Sequence, residues 1–321
     1  MTSSTGALLR EPRFRVTRHR RLSFAITAVL LIVSLLGVIL SWSSPIGAPV
    51  RPGLDFTGGT AIQVERRCGD SCGSLSGEAV ARSLAHPASV QLLDGGRAIA
   101  LRLAALTPAE SGEVVESLNR LAGPLDPSGT RIDTIGPVLG RQLLQSSMLA
   151  LVVSFLGVAL FITARYDRLY AVLALFCLAH DVLITTGVFA WLGLLAGVEV
   201  DSLFAVALLT LAGYSVNDTV VVFDRIREQQ QVLPDLTLDD QVDRAVAGTL
   251  TRSLYTSFTT ELPILALVFF GGQTLFWFAV ALAIGVAVGS WSSIGVVPPL
   301  LPLLGGRLSP RRPGPESGAP A

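Results

Sequence analysis

An aspartate stands where an apolar helix is long enough to cross a bilayer. Residues 203–228 read LFAVALLTLAGYSVNDTVVVFDRIRE and carry Asn217 and Asp218 inside the run. An ionisable group at that depth costs at least about 2.5 kcal/mol on insertion scales, so it normally faces a polar interior and marks an ion or proton path. Three more charged groups share this setting: Arg252 in TLTRSLYTS, Asp181 in LAHDVLITT and Glu261 in TTELPILAL. An arginine partner keeps a carboxylate ionised, whereas a dry environment neutralises it. A carboxylate that alternates between the two carries protons; the alternative is a static ion pair that locks two helices.

Spacing arranges these groups by depth. At 1.5 Å per residue, Asp218 lies about 9 Å from the Asp224 end of its span. Arg252 opens the next span from the same face, so antiparallel neighbours would pair the two. Asp181 lies about 18 Å into its span and Glu261 about 13 Å beyond Arg252, which extends the pattern into a staircase of carboxylates. His180 points about 100° away from Asp181 on a helical wheel and reads equally as a packing donor or a relay member. Glu261 precedes Pro263 and reads equally as a protonated group at a broken turn.

Six apolar spans must position these groups: 22–42, 143–163, 169–192, 202–223, 249–270 and 274–304, the last broken at Pro298 and Pro299. The chain is 50% hydrophobic, and its apolar residues fall in long blocks, the mark of an integral membrane protein. The basic stretch before Leu22 leads into an apolar run longer than a signal-peptide core, which predicts an uncleaved first span. All 24 basic residues are Arg and are balanced by 24 acidic ones, so no basic excess points to nucleic acid. Position is what makes the charges informative. Arg10, Arg13, Arg15, Arg18, Arg20 and Arg21 precede the first span; Arg165 and Arg168 join the second and third; Arg225, Arg227 and Arg244 lie between the fourth and fifth; Arg307, Arg311 and Arg312 follow the sixth. The excess of arginine assigns these segments, and both termini, to the cytoplasmic side. The expected organisation is a basic N-terminus over 1–21, a first span, an extracytoplasmic domain over 43–137, five spans within 138–304 and a disordered tail over 305–321.

The insert between the first two spans is polar enough to fold in water. Period-two alternation predicts strands at 59–65, 89–93, 97–103 and 131–135, with a hairpin around Asp94-Gly95-Gly96 and helices at 76–85 and 108–121. That βαββαβ order is ferredoxin-like, a fold that by itself assigns no function. Cys68 and Cys72 are spaced either for a local disulfide or as separate thiols. A metal site would need further ligands, and His86 is the domain's lone histidine, so no metal is expected. Cys177, within the third span, reads as a small buried residue. Residues 225–248 predict a short amphipathic surface helix before the fifth span. No metalloprotease, nucleophile-elbow or phosphate-loop motif occurs, so no enzyme and no cofactor are predicted, and energy must come from an ion gradient.

In order along the chain, GLDFTGGT, GPVLGRQLL, AHDV, LAGYSVNDTVVVFDRIRE, TLTRSLYTSFTT and FAVALAIGVAVGSWSSI resemble the SecF family of protein-export membrane subunits, within the RND superfamily. The resemblance covers most of the chain from Gly53 to about Leu301. It implies a six-helix half of a pseudo-symmetric unit, completed by SecD and working beside the SecYEG channel, with YajC and YidC as further associates. The implied task is late translocation of preproteins driven by the proton-motive force, with sodium as the alternative ion, in a bacterial cytoplasmic membrane. It also implies coupling residues at Asp218, Arg252 and Asp181, and a glycine motif at Gly53, Asp55, Phe56, Gly58 and Gly59. Glu261, where the family pattern is apolar, and Gly248, where Asn is common, depart from it; a relay through Glu261 and Asn217 would be this chain's own. Two other functions compete: an RND-type exporter of small molecules or lipids, and an intramembrane aspartyl protease using Asp181 and Asp218.

Overall fold

The structure, a computed structural model, describes residues 14–68 and 75–308. Arg10, Arg13, Cys72, Arg311, Arg312 and the tail beyond residue 308 lie outside the described residues. The chain divides into two compact units, Pro52–Ala150 with Glu199–Ser202, and the described parts of Met1–Arg51, Leu151–Val198 and Leu203–Ala321.

In the first unit, strands β1 (Gly59–Arg66), β2 (Ala88–Leu93), β3 (Ala98–Leu103) and β4 (Leu125–Ile135) form one antiparallel sheet in the order β2-β3-β1-β4. Helix α2 (Gly77–Ser83) connects β1 to β2 and helix α3 (Pro108–Ala122) connects β3 to β4. This is the expected split βαββαβ arrangement. Asp94, Gly95 and Gly96 turn the β2–β3 hairpin, all at positive φ, which glycine adopts without steric cost. Alternation works because Ile62 and Val64 of β1 and Ile99, Leu101 and Leu103 of β3 point to one face, where Val80, Val114 and Leu118 of the helices close the core. Thr107 and Glu110 cap α3 reciprocally, and Pro108 opens it. Cys68 is disulfide-bonded.

The second unit is helical. Among the described residues six helical stretches are long and apolar enough to cross a membrane, and the chain is a multi-pass membrane protein. They are α1 (Arg20–Ser43), α4 (Pro137–Arg165), α5 (Arg168–Ala196), α6 (Ser202–Val232), α7 (Leu238–Phe270) and a sixth stretch made of α8 (Gly272–Trp291), a π-helical turn (Ser292–Val296) and α9 (Val297–Leu308). Several boundaries differ from expectation; β4 and α4 each start six residues early, at Leu125 and Pro137. Helix α6 runs on to Val232 and α7 starts at Leu238, so the predicted surface helix is the first turns of α7, capped by Thr237. Good helix formers on both sides leave only a five-residue turn. The sixth span is interrupted at Ser292–Val296, upstream of the two prolines. Pro298 and Pro299 fall in the first turn of α9, directly after the π turn, where each withdraws an N–H from the carbonyls of that turn.

Burial is uneven. More than half of the apolar windows of α5, α6 and the sixth span are buried, whereas few residues in those of α4 and α7 are. Polar residues tie the start of α7 to the N-terminal segment: Thr17 donates through its N–H and hydroxyl to buried Asp243 at 2.9 and 2.7 Å, and Arg20 pairs with Asp239 at 3.0 Å.

Candidate functional site

Helices α5 and α6 and the π turn meet around two carboxyl groups. Asp181 is fully buried, and donors reach both of its oxygens. His180 Nδ1 lies 2.8 Å from Oδ1, while Ser215 and Ser292 donate to Oδ2 at 2.6 and 2.9 Å and the Cys177 thiol lies 3.9 Å away. Ser292 also accepts from Cys177 at 3.1 Å, and Thr219 donates to that sulfur at 3.4 Å. Asp218, 5% exposed, accepts at Oδ2 from the Ser293 hydroxyl. Consecutive residues of one π turn therefore serve both carboxyls, Ser292 reaching Asp181 on α5 and Ser293 reaching Asp218 on α6. Neighbouring side chains on a helix point about 100° apart, so consecutive serines can reach two different helices, and here both stand in the π turn. Gly289 completes the approach: a Cβ there would stand 3.5 Å from Asp181 Oδ2.

The structure brings together only some of the residues expected to act together. Asp218 and Arg252 form no ion pair, which corrects the expected pairing. Ser253 and Ser257 turn inward on α7, while Arg252, Tyr255, Thr256 and Thr259 fall on its open face. Arg252 thus has the anticipated depth but the wrong helical phase. Asn217 is exposed, one residue out of phase with Asp218, and is no part of the buried cluster. Glu261 is half-buried on α7 and hydrogen-bonds neither aspartate, so the three carboxylates make no staircase within this chain. His180, left open between a packing donor and a relay member, bonds the carboxylate beside it. Adjacency in sequence hid that bond; Ser292 and Ser293 were hidden because long-range partners leave no local signal.

Just after α4, Tyr166 donates to Asp224 at 2.9 Å, with Arg165 3.8 Å from the same carboxylate. Burial, reinforced by the bond to Asp224, pushes the Tyr166 phenol up to about 12.

The glycine motif is built for close approach. Gly53 N–H donates to Val200 O at 2.7 Å, and a Cβ on Gly53 would meet that oxygen at 2.7 Å. Gly58 and Gly59 have φ values of 69° and 123°; added Cβ atoms would meet Pro137 Cα at 2.9 Å and Leu103 O at 2.5 Å. Between them, residues Leu54–Thr57 make one helical turn. It presents Asp55, whose Oδ2 accepts from Ser202 N–H at 3.0 Å and from the Ser202 hydroxyl. Ser202 is the first residue of α6, so Asp55 caps the helix that carries Asp218, placing negative charge at its positive end. Phe56 is half-buried, and its carbonyl lies 3.4 Å from where a Cβ on Gly140 would sit. Arg102 and Glu199 pair at 2.5 Å in the same unit. Among the described residues no group of three or more His, Cys, Asp or Glu side chains is placed to hold a metal.

A family model described as "Protein export membrane protein SecD/SecF, C-terminal" matches residues 114–307, and one for the "SecD/SecF GG Motif" matches residues 44–68. The chain is 49% identical over 304 residues to protein translocase subunit SecF of Prochlorococcus marinus, covering 90% of this chain and 95% of that protein. It is 38% identical over 259 residues to protein translocase subunit SecDF of Thermus thermophilus, covering 77% of this chain and 34% of that one. The crystal structure of a Thermus SecDF, described as a translocon-associated membrane protein, superposes with a TM-score of 0.76 at 31% identity, covering 94% of this chain and 39% of that chain.

Proposed function

The chain belongs to the SecD/SecF family of protein-export membrane proteins, and on that premise we propose that it couples the proton-motive force to late preprotein translocation as an auxiliary subunit of the Sec translocase. SecF and SecDF relatives support the translocase role. The SecDF fusion, in which the matched region is about a third of a longer chain, supports SecD as the partner.

One observation carries the coupling reading: two buried intramembrane carboxyls, Asp181 and Asp218, share a serine-lined π turn, while Arg252 is left on the open face of a nearly unburied helix. A bare guanidinium in hydrocarbon is costly, so that face needs a polar cover. SecD is the cover this reading assigns, with its own acidic groups answering Arg252. In this reading Asp218 and Asp181 take and release the proton, and the role is transport without catalysis. The unit sits in a bacterial inner membrane with both termini cytoplasmic, beside SecYEG and the emerging preprotein. YajC and YidC are further associates in the same reading, and no cofactor takes part.

The test is Asp218→Asn, nearly isosteric and uncharged, in vesicles that contain the chain with SecD and SecYEG. Gradient-dependent stimulation of export should disappear while the complex still assembles. Undiminished stimulation would sink the reading.

A further inference from the structure

Two buried polar atoms are left without a hydrogen-bond partner on neighbouring helices: Thr27 Oγ1 on α1 and His180 Nε2 on α5. The register of the helix pair sets them opposite one another. A Cβ on Gly187 would fall on Ser34, and one on Gly37 would strike Trp191, whose Nε1 donates to Val33 O at 2.9 Å. Position numbers rise together on the two helices, so α1 and α5 run parallel. Seven residues before Ser34 and Gly187, two turns back on each helix, stand Thr27 and His180. Both are nine-tenths buried or more, at 5% and 2% exposure. One turn further back, Ser23 donates to Gly295 O of the π turn, so α1 still follows the bundle at this depth.

The imidazole has a defined direction. With Nδ1–H donating to Asp181, Nε2 carries the lone pair and needs a donor. Thr27, on the opposing helix, leaves its hydroxyl unused. Paired orphans of this kind are what a buried water satisfies, accepting from the hydroxyl and donating to the ring.

We infer that a buried water is held between Thr27 Oγ1 and His180 Nε2, and that His180 is the group through which Asp181 exchanges its proton. A proton arriving through this water adds to Nε2, and the Nδ1 proton passes to Asp181 Oδ1. One proton is taken up, the carboxylate is neutralised, and the imidazole remains neutral in its other tautomer. The reverse steps release it. The titratable groups around His180 are Cys177 and Asp181 on α5 and Asp218 on α6; α1 after Arg21, α4 between Arg141 and Arg165, α8 and the π turn contribute none.

This inference rests on the proton-coupling reading, and its test separates the two. The chain has three histidines, so His19→Gln with His86→Gln leaves His180 as the one imidazole reported by nitrogen-15 histidine labelling of the full chain in lipid bilayers. The expected spectrum shows an unprotonated Nε2 exchanging magnetisation with water protons, and Thr27→Val should abolish that transfer. A dry or protonated Nε2 overturns the inference. In vesicles containing the chain with SecD and SecYEG, His180→Gln should lower gradient-driven translocation by about a hundredfold, the low end of what a positioned proton-transfer group contributes, with Thr27→Val less severe. If Asp218→Asn abolishes coupling while assembled His180→Gln keeps the wild-type rate and pH profile, the histidine route fails and the coupling reading stands. If Asp218→Asn itself leaves coupling intact, both fail.

Discussion

Ser293 donates its hydroxyl to Asp218, and this bond takes the place of the ion pair with Arg252 that helix depth alone suggested. Its neighbour Ser292 makes the equivalent bond to Asp181 at 2.9 Å. One widened turn therefore holds both carboxyls, and any change in that turn reaches both.

Replacing Ser293 with Ala leaves a buried carboxyl oxygen short of a donor, a loss of about 1–3 kcal/mol. The midpoint of thermal unfolding of the purified chain with SecD should fall accordingly. Ser290→Ala one turn away is the comparison, since its hydroxyl bonds Ser257 and not a carboxyl.

Arg252→Ala should not lower the stability of this chain, because the side chain lies on the open face of α7. Export driven by the gradient should nevertheless collapse. Thermal melts of the chain alone, set beside translocation with SecD, read the two effects separately.

Asp55→Ala removes the acceptor at the start of α6 and should cost about 0.5–2 kcal/mol, the usual worth of a helix cap. Asp55→Asn keeps an acceptor and should cost less. Hydrogen exchange of the first amides of α6 will show whether the loss begins at Ser202.

Gly59→Ala forces a Cβ into Leu103 O at φ 123° and should destabilise the sheet unit by about 1–3 kcal/mol. Faster proteolysis within β1 to β3 is the expected readout. Gly112→Ala, where a Cβ meets nothing, should leave that rate unchanged.

The N–H and then the hydroxyl of Thr107 hold Glu110 below its ordinary value of 4.5. A depressed folded value means that the ionised carboxylate stabilises the cap above the ordinary value and that this support is lost as pH falls through the lowered one. Glu110→Gln should flatten that acid dependence. Amide exchange at the start of α3 between about pH 3 and 6 measures it.

Periodicity and charge carried most of the fold. Six apolar runs, the alternation of Ile62 and Val64, and the Asp94-Gly95-Gly96 turn are local patterns, and local patterns survive in a one-dimensional record. The ordered motifs from GLDFTGGT to FAVALAIGVAVGSWSSI placed the family, and the burial cost of a charge in lipid singled out Asp181, Asp218 and Arg252. Helical phase between separate spans was not legible, because it depends on how whole helices rotate when they pack. Only the tertiary structure turned Ser292 and Ser293 toward two aspartates, turned Arg252 outward, set Asp55 against Ser202, and left Thr27 Oγ1 and His180 Nε2 without a hydrogen-bond partner. Each of these depends on residues distant in the chain, decided by the simultaneous burial of several apolar faces.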